Sequence, residues 1–234
     1  RQVLTIFAIA VSLMLILGVE KLRHNAKLSF ANTISGTDLI VGARSGSIQL
    51  LLYSVFRIGN ATNNISWKSY RSIARHKDVK WTIPISLGDS HQGFRVMGTT
   101  NAYFAYYRYG QKRALQFKGG QPFKDVFETV LGSEVAQKLD YKLGDKIIID
   151  HGIGTSGFLK HKDKPFIVSG ILTRTGTPVD RTVHVSLEGI TAIHVDWRSG
   201  ARIPGMTIDS DAARKMDLTP VSYTHLTLPT SDLV

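Results

Sequence analysis

Residues 130–149, VLGSEVAQKLDYKLGDKIII, decide the fold because they predict a strand, a helix, a turn and a second strand in direct succession. A strand over residues 125–131 ends before Ser133, which is a suitable N-cap for a helix through Leu139. Gly144 permits a tight turn, and the Asp145 side chain can bond local amides there. This turn sets the start of the next strand, predicted over residues 146–150.

The flanking sequence shows the same mixture of elements. Downstream, strands are predicted at 166–172 and 182–185, with Ser186 capping a helix over 187–194. Upstream, alternating residues 79–87 predict a half-buried strand that turns into a hairpin with residues 94–98. Further upstream elements are a strand at 39–41 and helices at 47–58, 67–75 (capped by Ser66) and 101–109. The predicted class is α+β, with residues 119–122 as a candidate boundary between two subdomains.

Residues 130–139 and 143–149 resemble the periplasmic core domain of MacB/FtsX-like ABC-transporter permeases. In that pattern an LG-x-x-x-A helix leads to a GD turn and then a strand. Residues 166–172 are similar to the following strand, and residues 180–187 to the next strand and helix cap. An N-terminal membrane helix before the domain is also the family's arrangement, so the resemblance covers about residues 1–195. Family members carry three more membrane helices after the domain, and the resemblance therefore implies that this chain is a fragment of a permease.

The N-terminal segment predicts a transmembrane anchor, assigned to residues 1–23. Residues 3–19, VLTIFAIAVSLMLILGV, carry no charge and are apolar on every side, unlike a core helix with one polar face. Such a helix is close to the lower length limit for crossing a bilayer. A cleaved or uncleaved signal segment is the alternative. The anchor residues are Leu4, Ile6, Phe7, Ile9, Val11, Leu13, Leu15, Ile16 and Leu17.

The orientation of the anchor has two readings. Basic residues at 21–27 follow the helix, and alone they place that side in the cytoplasm. The family resemblance instead places residues 24–220 outside the cytoplasm, as an extracytoplasmic domain on a bacterial inner membrane. We adopt the second reading as the prediction.

Both ends of the chain are expected to be incomplete. Arg1 stands where an initiator Met is expected. Residues 221–230, VSYTHLTLPT, resemble the translation of a transposase adapter used in sequencing libraries. Residues 221–234 are therefore predicted to be a non-native tail, with the native sequence interrupted near Pro220.

Composition narrows the function classes. A hydrophobic content of 43% and a charged content of 20% are those of a globular protein, so disorder is not expected. The absence of cysteine excludes disulfides, thiolate metal sites and a Cys nucleophile. The net charge of +11 comes from dispersed residues, including Lys160, Lys162 and Lys164, which we interpret as solvated turns. No nucleic-acid partner is expected, and an anionic lipid surface is at least as natural a neighbour.

The remaining motifs have structural explanations. Residues 152–157 spell GxGxxG, but a polar turn and a strand follow, so no helix dipole faces a phosphate. The sequence has no GxxxxGK[ST] and no GxSxG. Asp150, His151 and His161 lack metal-ligand spacing, and histidines in loops are usually solvated. We expect no catalytic residue, no cofactor and no metal, with the ATPase on a partner subunit or in another segment.

The predicted helix over residues 47–58 carries more apolar residues than one face can hold. Its simplest role is to pack as a core helix on the strand at 79–87. One flank is a candidate contact surface for lipid, an amphiphile or a partner. The candidate contact residues are Arg44, Leu51, Phe56 and Arg57.

The predicted function is that of a permease subunit of an ABC transporter. The resemblance implies that ATP-driven motion of cytoplasmic subunits reaches the extracytoplasmic domain through the membrane helices. Its expected partners are the membrane, an ABC ATPase subunit, and a second permease copy or a paralogue. The alternative is a membrane-anchored sensor or ligand-binding domain, which needs a convergent polar pocket.

Overall fold

The computed structural model of the protein describes residues 2–33, 35–37, 39–43, 46–59, 63–150, 161–198, 201–203 and 205–219. The α-helices within these ranges are α1 Gln2–Thr33, α2 Ser47–Ser54, α3 Trp67–Ala74, α4 Ala102–Tyr106, α5 Ser133–Lys138, α6 Leu187–Ile193 and α7 Ser210–Arg214. A 3₁₀ helix covers Pro178–Arg181. The strands are β1 Ser86–His91, β2 Phe94–Thr99, β3 Arg108–Tyr109, β4 Arg113–Ala114, β5 Phe117–Gly120, β6 Glu128–Leu131, β7 Lys146–Ile147, β8 Phe166–Leu172, β9 Thr182–Ser186, β10 Trp197–Arg198 and β11 Ala201–Arg202.

One mixed sheet organises the domain. Its strand order is β1-β2-β9-β6-β8-β5, and β7 pairs with β8 beside β5. The pairs β2–β9 and β6–β8 are parallel, whereas β1–β2, β6–β9, β5–β8 and β7–β8 are antiparallel. Helices cross between strands of the mixed sheet, so the predicted α+β class is confirmed.

The sheet separates two hydrophobic cores because successive side chains of a strand point to opposite faces. In β2, Val96 belongs to one core and Met97 to the other. In β6, Leu131 lies with Val96, whereas Val130 lies with Met97. Helices α5 and α6 contribute to the first core, and the aromatic residues of α4 contribute to the second.

The second half of the chain follows the sequence prediction closely. Strand β8 covers Phe166–Leu172 as predicted, and β9 covers Thr182–Ser186. The Ser186 hydroxyl accepts a hydrogen bond from the Gly189 N–H at 2.8 Å and caps α6. One assignment was wrong: the N-cap of α5 is Gly132, and Ser133 is the first helical residue.

Two predicted strands in this half are shorter than expected. Strand β6 begins at Glu128 because residues 124–127 form a turn, in which the Asp125 carboxylate accepts the Phe127 N–H at 2.9 Å. Strand β7 covers Lys146–Ile147, and Asp150 adds an isolated bridge to Ser90.

The first half departs further from the prediction. Residues 39–41 and 79–85 form no strand, and β1 begins at Ser86, where pairing with β2 starts. The predicted hairpin is confirmed, with Gln92 and Gly93 at positive φ in its turn. The helix predicted over 101–109 is confined to Ala102–Tyr106. Residues 119–122, the candidate boundary, begin within β5 of the common sheet.

Candidate functional site

Helix α1 has the length and composition of a membrane span. It contains 32 residues, about 48 Å at about 1.5 Å per residue, and a hydrocarbon core is about 30 Å thick. In the described part of the chain it is the one helix that is long and apolar enough to cross a membrane, over Gln2–Asn25, and none of that window is buried. The predicted anchor residues are all exposed, from 40% at Val11 to 74% at Leu4.

Hydrogen bonds attach the C-terminal end of α1 and the residues just after it to the domain. The Tyr107 hydroxyl donates to the carbonyl of Thr33, the last residue of α1. The Ser35 N–H donates to the Arg108 carbonyl at 3.0 Å. Thr33 and Tyr107 are both buried, so this contact lies inside the domain. We call residues Thr33, Ser35, Tyr107 and Arg108 the junction.

The junction reaches the central sheet through stacked aromatic side chains. The Tyr107 ring centroid lies 4.9 Å from that of Tyr103, and the Tyr103 centroid lies 5.2 Å from that of His184 in β9. Burial lowers the pKa of His184 to about 3, so its imidazole is neutral at physiological pH. The His184 Nδ1–H donates to the Val130 carbonyl at 3.1 Å. A continuous packed path therefore runs from the end of α1 to β9 and β6.

A groove opens beside the junction, with a cavity volume of about 570 Å³. Its walls come from residues 39–43, α2, α3, the extended segment 78–87 and one side of α6. Large apolar side chains dominate the lining, among them Leu50, Trp67, Trp81 and Ile190. The alternating residues 79–85, predicted as a strand, serve as a wall of this groove.

The polar residues that line the groove include Tyr53, Arg57, Tyr103 and Tyr107, and also Gln49, Asn63, Asn64, Asp78 and Lys80. The Tyr53 hydroxyl donates to the Leu87 carbonyl, and burial raises its pKa to about 12. Burial also raises the pKa of Tyr103, and the adjacent Arg57 guanidinium opposes that shift. The phenols are therefore neutral, and Arg57 is a buried cation at the groove, whereas Lys80 in the same lining is exposed.

The predicted contact residues Leu51, Phe56 and Arg57 lie on α2 and directly after it. Leu51 and Phe56 are half-buried, whereas the neighbouring Ile48 and Ile58 are 73% and 58% exposed. Arg57 was predicted to be a contact residue, and its side chain is only 8% exposed and lines the groove. Arg44 lies outside the described residues, and contact with a partner stays a prediction.

The helix ends earlier than predicted because of the backbone at Arg57. Helix α2 stops at Ser54 rather than residue 58. Arg57 has a φ of 61°, in the left-handed region, and the Ile58 N–H then donates back to the Leu52 carbonyl at 3.0 Å. This conformation costs a non-glycine residue about 1–2 kcal/mol.

A second buried polar cluster was missed by the sequence interpretation. Lys164 and His161, predicted to be solvated, are fully buried. The Lys164 Nζ lies 2.7 Å from Asp196 Oδ1 and 3.1 Å from Asp163 Oδ2. The His161 ring packs at 4.7 Å from Trp197. No pattern in the sequence marks Asp196 as the partner of Lys164, because the ion pair joins the segment before β8 to the segment after α6.

The glycine-rich residues 152–157 and His151 lie outside the described residues. Within the described ranges, no group of three or more His, Asp or Glu side chains is placed to hold a metal. The expectation that the chain binds no metal stays a prediction.

Comparison with known protein families gives a match that covers most of the chain. A family model described as the MacB-like periplasmic core domain matches residues 3–215. No curated protein matches the chain. The matched range runs from the first turn of α1 to just beyond α7, so it includes the junction and the groove.

Proposed function

Because the chain belongs to the family of MacB-like periplasmic core domains, we propose that it works as a permease subunit of an ABC transporter in a bacterial inner membrane. Permeases with such domains work with ATPase partners. In this proposal, ATP-driven closure of the cytoplasmic subunits moves the membrane helices, and α1 passes the movement to the extracytoplasmic domain. The domain then handles a substrate or a partner on the outer side.

The observation that supports this role is the unbroken connection from α1 into the domain. Helix α1 continues beyond the apolar window Gln2–Asn25 as far as Thr33 without interruption. The Tyr107 hydroxyl holds its last carbonyl, and the Tyr103–His184 stack leads on to β9. Packed interiors transmit displacement because they have few voids. A shift of α1 along its axis would therefore displace α4 and the central strands β9 and β6 with it.

The proposal assigns no catalytic residue to this chain. ATP hydrolysis belongs to a partner subunit or to another segment of the protein, and a second permease copy or a paralogue completes the assembly. The buried polar groups near the junction have packing or hydrogen-bonding roles, such as the Thr129 hydroxyl, which donates to the His184 carbonyl at 2.9 Å. The domain acts by mechanical coupling between two conformations.

The topology can be tested by cysteine labelling, since the chain contains no cysteine. Lys118 is exposed in the domain, so Lys118→Cys gives a single reactive thiol. We expect a membrane-impermeant maleimide to label this thiol in intact spheroplasts of bacteria that produce the full chain. Labelling that occurs only in inverted membrane vesicles would show that the basic residues at 21–27 determine the orientation instead.

The coupling can be tested at the junction with Tyr107→Phe. Loss of the hydroxyl leaves the buried Thr33 carbonyl without this donor, which should lower the unfolding free energy by about 1–3 kcal/mol. In the permease reconstituted with its ATPase, spin labels at Glu20→Cys and Lys118→Cys should report an ATP-dependent distance change. We expect Tyr107→Phe to reduce that change while ATP hydrolysis continues.

Tyr109→Phe is the matched control for this experiment. Tyr109 is also buried, but it packs under Arg113, and its hydroxyl makes none of the junction hydrogen bonds. If the ATP-dependent distance change were the same in the unmodified chain, in Tyr107→Phe and in Tyr109→Phe, transmission through this hydrogen bond would be ruled out.

A further inference from the structure

Arg57 is a buried cation that no carboxylate in the described part of the chain neutralises. Its side chain lines the groove and is only 8% exposed. Neither Nε nor Nη1 has a hydrogen-bond partner, and none of the described carboxylates forms an ion pair with the guanidinium. The Tyr103 hydroxyl beside it is also buried and makes no hydrogen bond of normal geometry. The guanidinium and the hydroxyl therefore lie beside each other at the groove, and no described carboxylate neutralises the cation.

The nearby carboxylate of Asp180 is already occupied. Asp180 acts electrostatically on both Tyr103 and Tyr107, so it lies in the same region of the core. Its Oδ1 accepts the Thr175 N–H at 2.8 Å and the Thr175 hydroxyl at 2.9 Å, and its Oδ2 accepts the Gly176 N–H at 2.7 Å. Both oxygens are held by the turn before the 3₁₀ helix and do not neutralise Arg57.

An unpaired buried charge destabilises a protein unless a partner is supplied. Arg57 adds a second cost, because its left-handed φ of 61° suits glycine or asparagine at the end of a helix. Strained, uncompensated residues of this kind concentrate at ligand sites. The missing partner is thus an anion that enters through the groove.

The size and the apolar walls of the groove indicate which chemical group accompanies the anion in the ligand. A volume of about 570 Å³ falls within the range of about 300–1,000 Å³ that is typical of small-molecule pockets. Most of the remaining wall is apolar and includes Leu50, Ile73 and Ile190, whereas the charged residues Asp78 and Lys80 of the lining are exposed. An inorganic anion would leave these walls unoccupied, whereas an alkyl chain would fill them.

We propose that the groove binds a single-chain amphiphile with a carboxylate head group. The carboxylate pairs with the Arg57 guanidinium and accepts a hydrogen bond from the Tyr103 hydroxyl, and the alkyl chain lies between α2, α3 and the segment 78–87. Arginine suits this role because its planar fork matches the two carboxylate oxygens. This binding goes beyond the coupling role and does not depend on it.

Two tryptophans in the groove wall provide the measurement. Trp67 and Trp81 line the groove, so a bromine atom carried by a bound alkyl chain should quench their fluorescence. The full chain is placed in nanodiscs of zwitterionic lipid and titrated with 8-bromooctanoate. We expect saturable quenching. The uncharged 8-bromooctanol and the cationic 8-bromooctyltrimethylammonium should bind about tenfold or more weakly, because each lacks the charge-assisted pair.

Variants assign the effect to Arg57. Arg57→Gln should weaken 8-bromooctanoate binding by about tenfold or more, and Arg57→Lys should restore part of the loss. Arg113→Gln removes the same charge from an exposed side chain outside the groove and should leave binding unchanged. Octanoate should raise the melting temperature of the unmodified chain but not that of Arg57→Gln.

Tyr103→Phe keeps the test decisive if Arg57→Gln fails to fold. It preserves the buried ring and removes a hydroxyl that makes no hydrogen bond of normal geometry, so the fold should be retained while binding weakens severalfold. Equal quenching by all three bromo compounds, or equal affinity in the unmodified chain and Tyr103→Phe, would overturn the proposal. The first result would assign the binding to lipid partition or to an apolar site, and the second would remove the Tyr103 hydroxyl from the carboxylate site.

Discussion

Replacement of Asp196 by asparagine is expected to destabilise the domain by about 3–5 kcal/mol, because it leaves the buried Lys164 ammonium without its closest counter-charge. The side chains of Lys164 and Asp196 are both fully buried, with Nζ and Oδ1 2.7 Å apart. Asparagine has nearly the same shape as aspartate, so the change removes charge without creating a cavity. Chemical denaturation of the full chain in mild detergent measures the loss.

Asp163→Asn is the matched control, since it removes the second carboxylate from the same lysine. The Asp163 side chain is 22% exposed and lies 3.1 Å from Lys164 Nζ, so water can replace part of its contribution. We expect a cost well below that of Asp196→Asn. The double change Lys164→Met with Asp196→Leu should recover much of the lost stability by removing both charges. Equal costs for the two asparagine variants would contradict the assignment of Asp196 as the main partner.

Gly132→Ala is the second change with a large expected effect, at least about 2 kcal/mol of destabilisation. A Cβ atom at Gly132 would lie 2.2 Å from the Val179 carbonyl oxygen and 2.5 Å from that of Asp180. Both obstacles are backbone atoms of the adjacent 3₁₀ helix, so a side-chain rotation cannot relieve them. Thermal unfolding followed by circular dichroism should show a melting temperature lowered by several degrees.

Gly46→Ala separates this steric effect from the general effect of losing a glycine. Gly46 is also a helix N-cap, with φ −62° and ψ 139°, against φ −65° and ψ 154° at Gly132. A Cβ atom there meets nothing within 4 Å, so Gly46→Ala should change stability by less than about 1 kcal/mol. If both alanine variants melted at the same temperature, the close backbone approach at Gly132 would have no effect on stability.

The second half of the fold was predictable because its elements are defined by local sequence. Strand β8 alternates between buried and more exposed residues over its whole length and has the predicted bounds. The serines at 66 and 186 each accept an amide N–H of the helix that follows, as their positions predicted. The LG-x-x-x-A pattern has a tertiary cause, because Gly132 touches the 3₁₀ helix rather than forming a turn.

The first half was less predictable because its structure depends on distant contacts. Residues 79–85 alternate as a strand would, but they form a groove wall opposite α2 and α3 and no strand of the sheet includes them. Arg57 was predicted to be a contact residue, and the structure buries it in the groove wall, so its contact with a partner or lipid stays a prediction. A sequence shows that an arginine is present, whereas its burial depends on a left-handed turn and on Tyr103 from another segment.

The strand order has a consequence for how the protein is made. Strand β2 is parallel to β9, and β9 also supplies the antiparallel partner of β6. Until Thr182 has been synthesised, one edge of the β1–β2 hairpin has no neighbour and β6 cannot join it. At about 5–20 residues per second, that delay is on the order of ten seconds, during which an unpaired strand edge is open to aggregation. A nascent chain that stops before β9 should therefore depend on a holding chaperone, since the β1–β2 hairpin and β6 are not yet joined in one sheet.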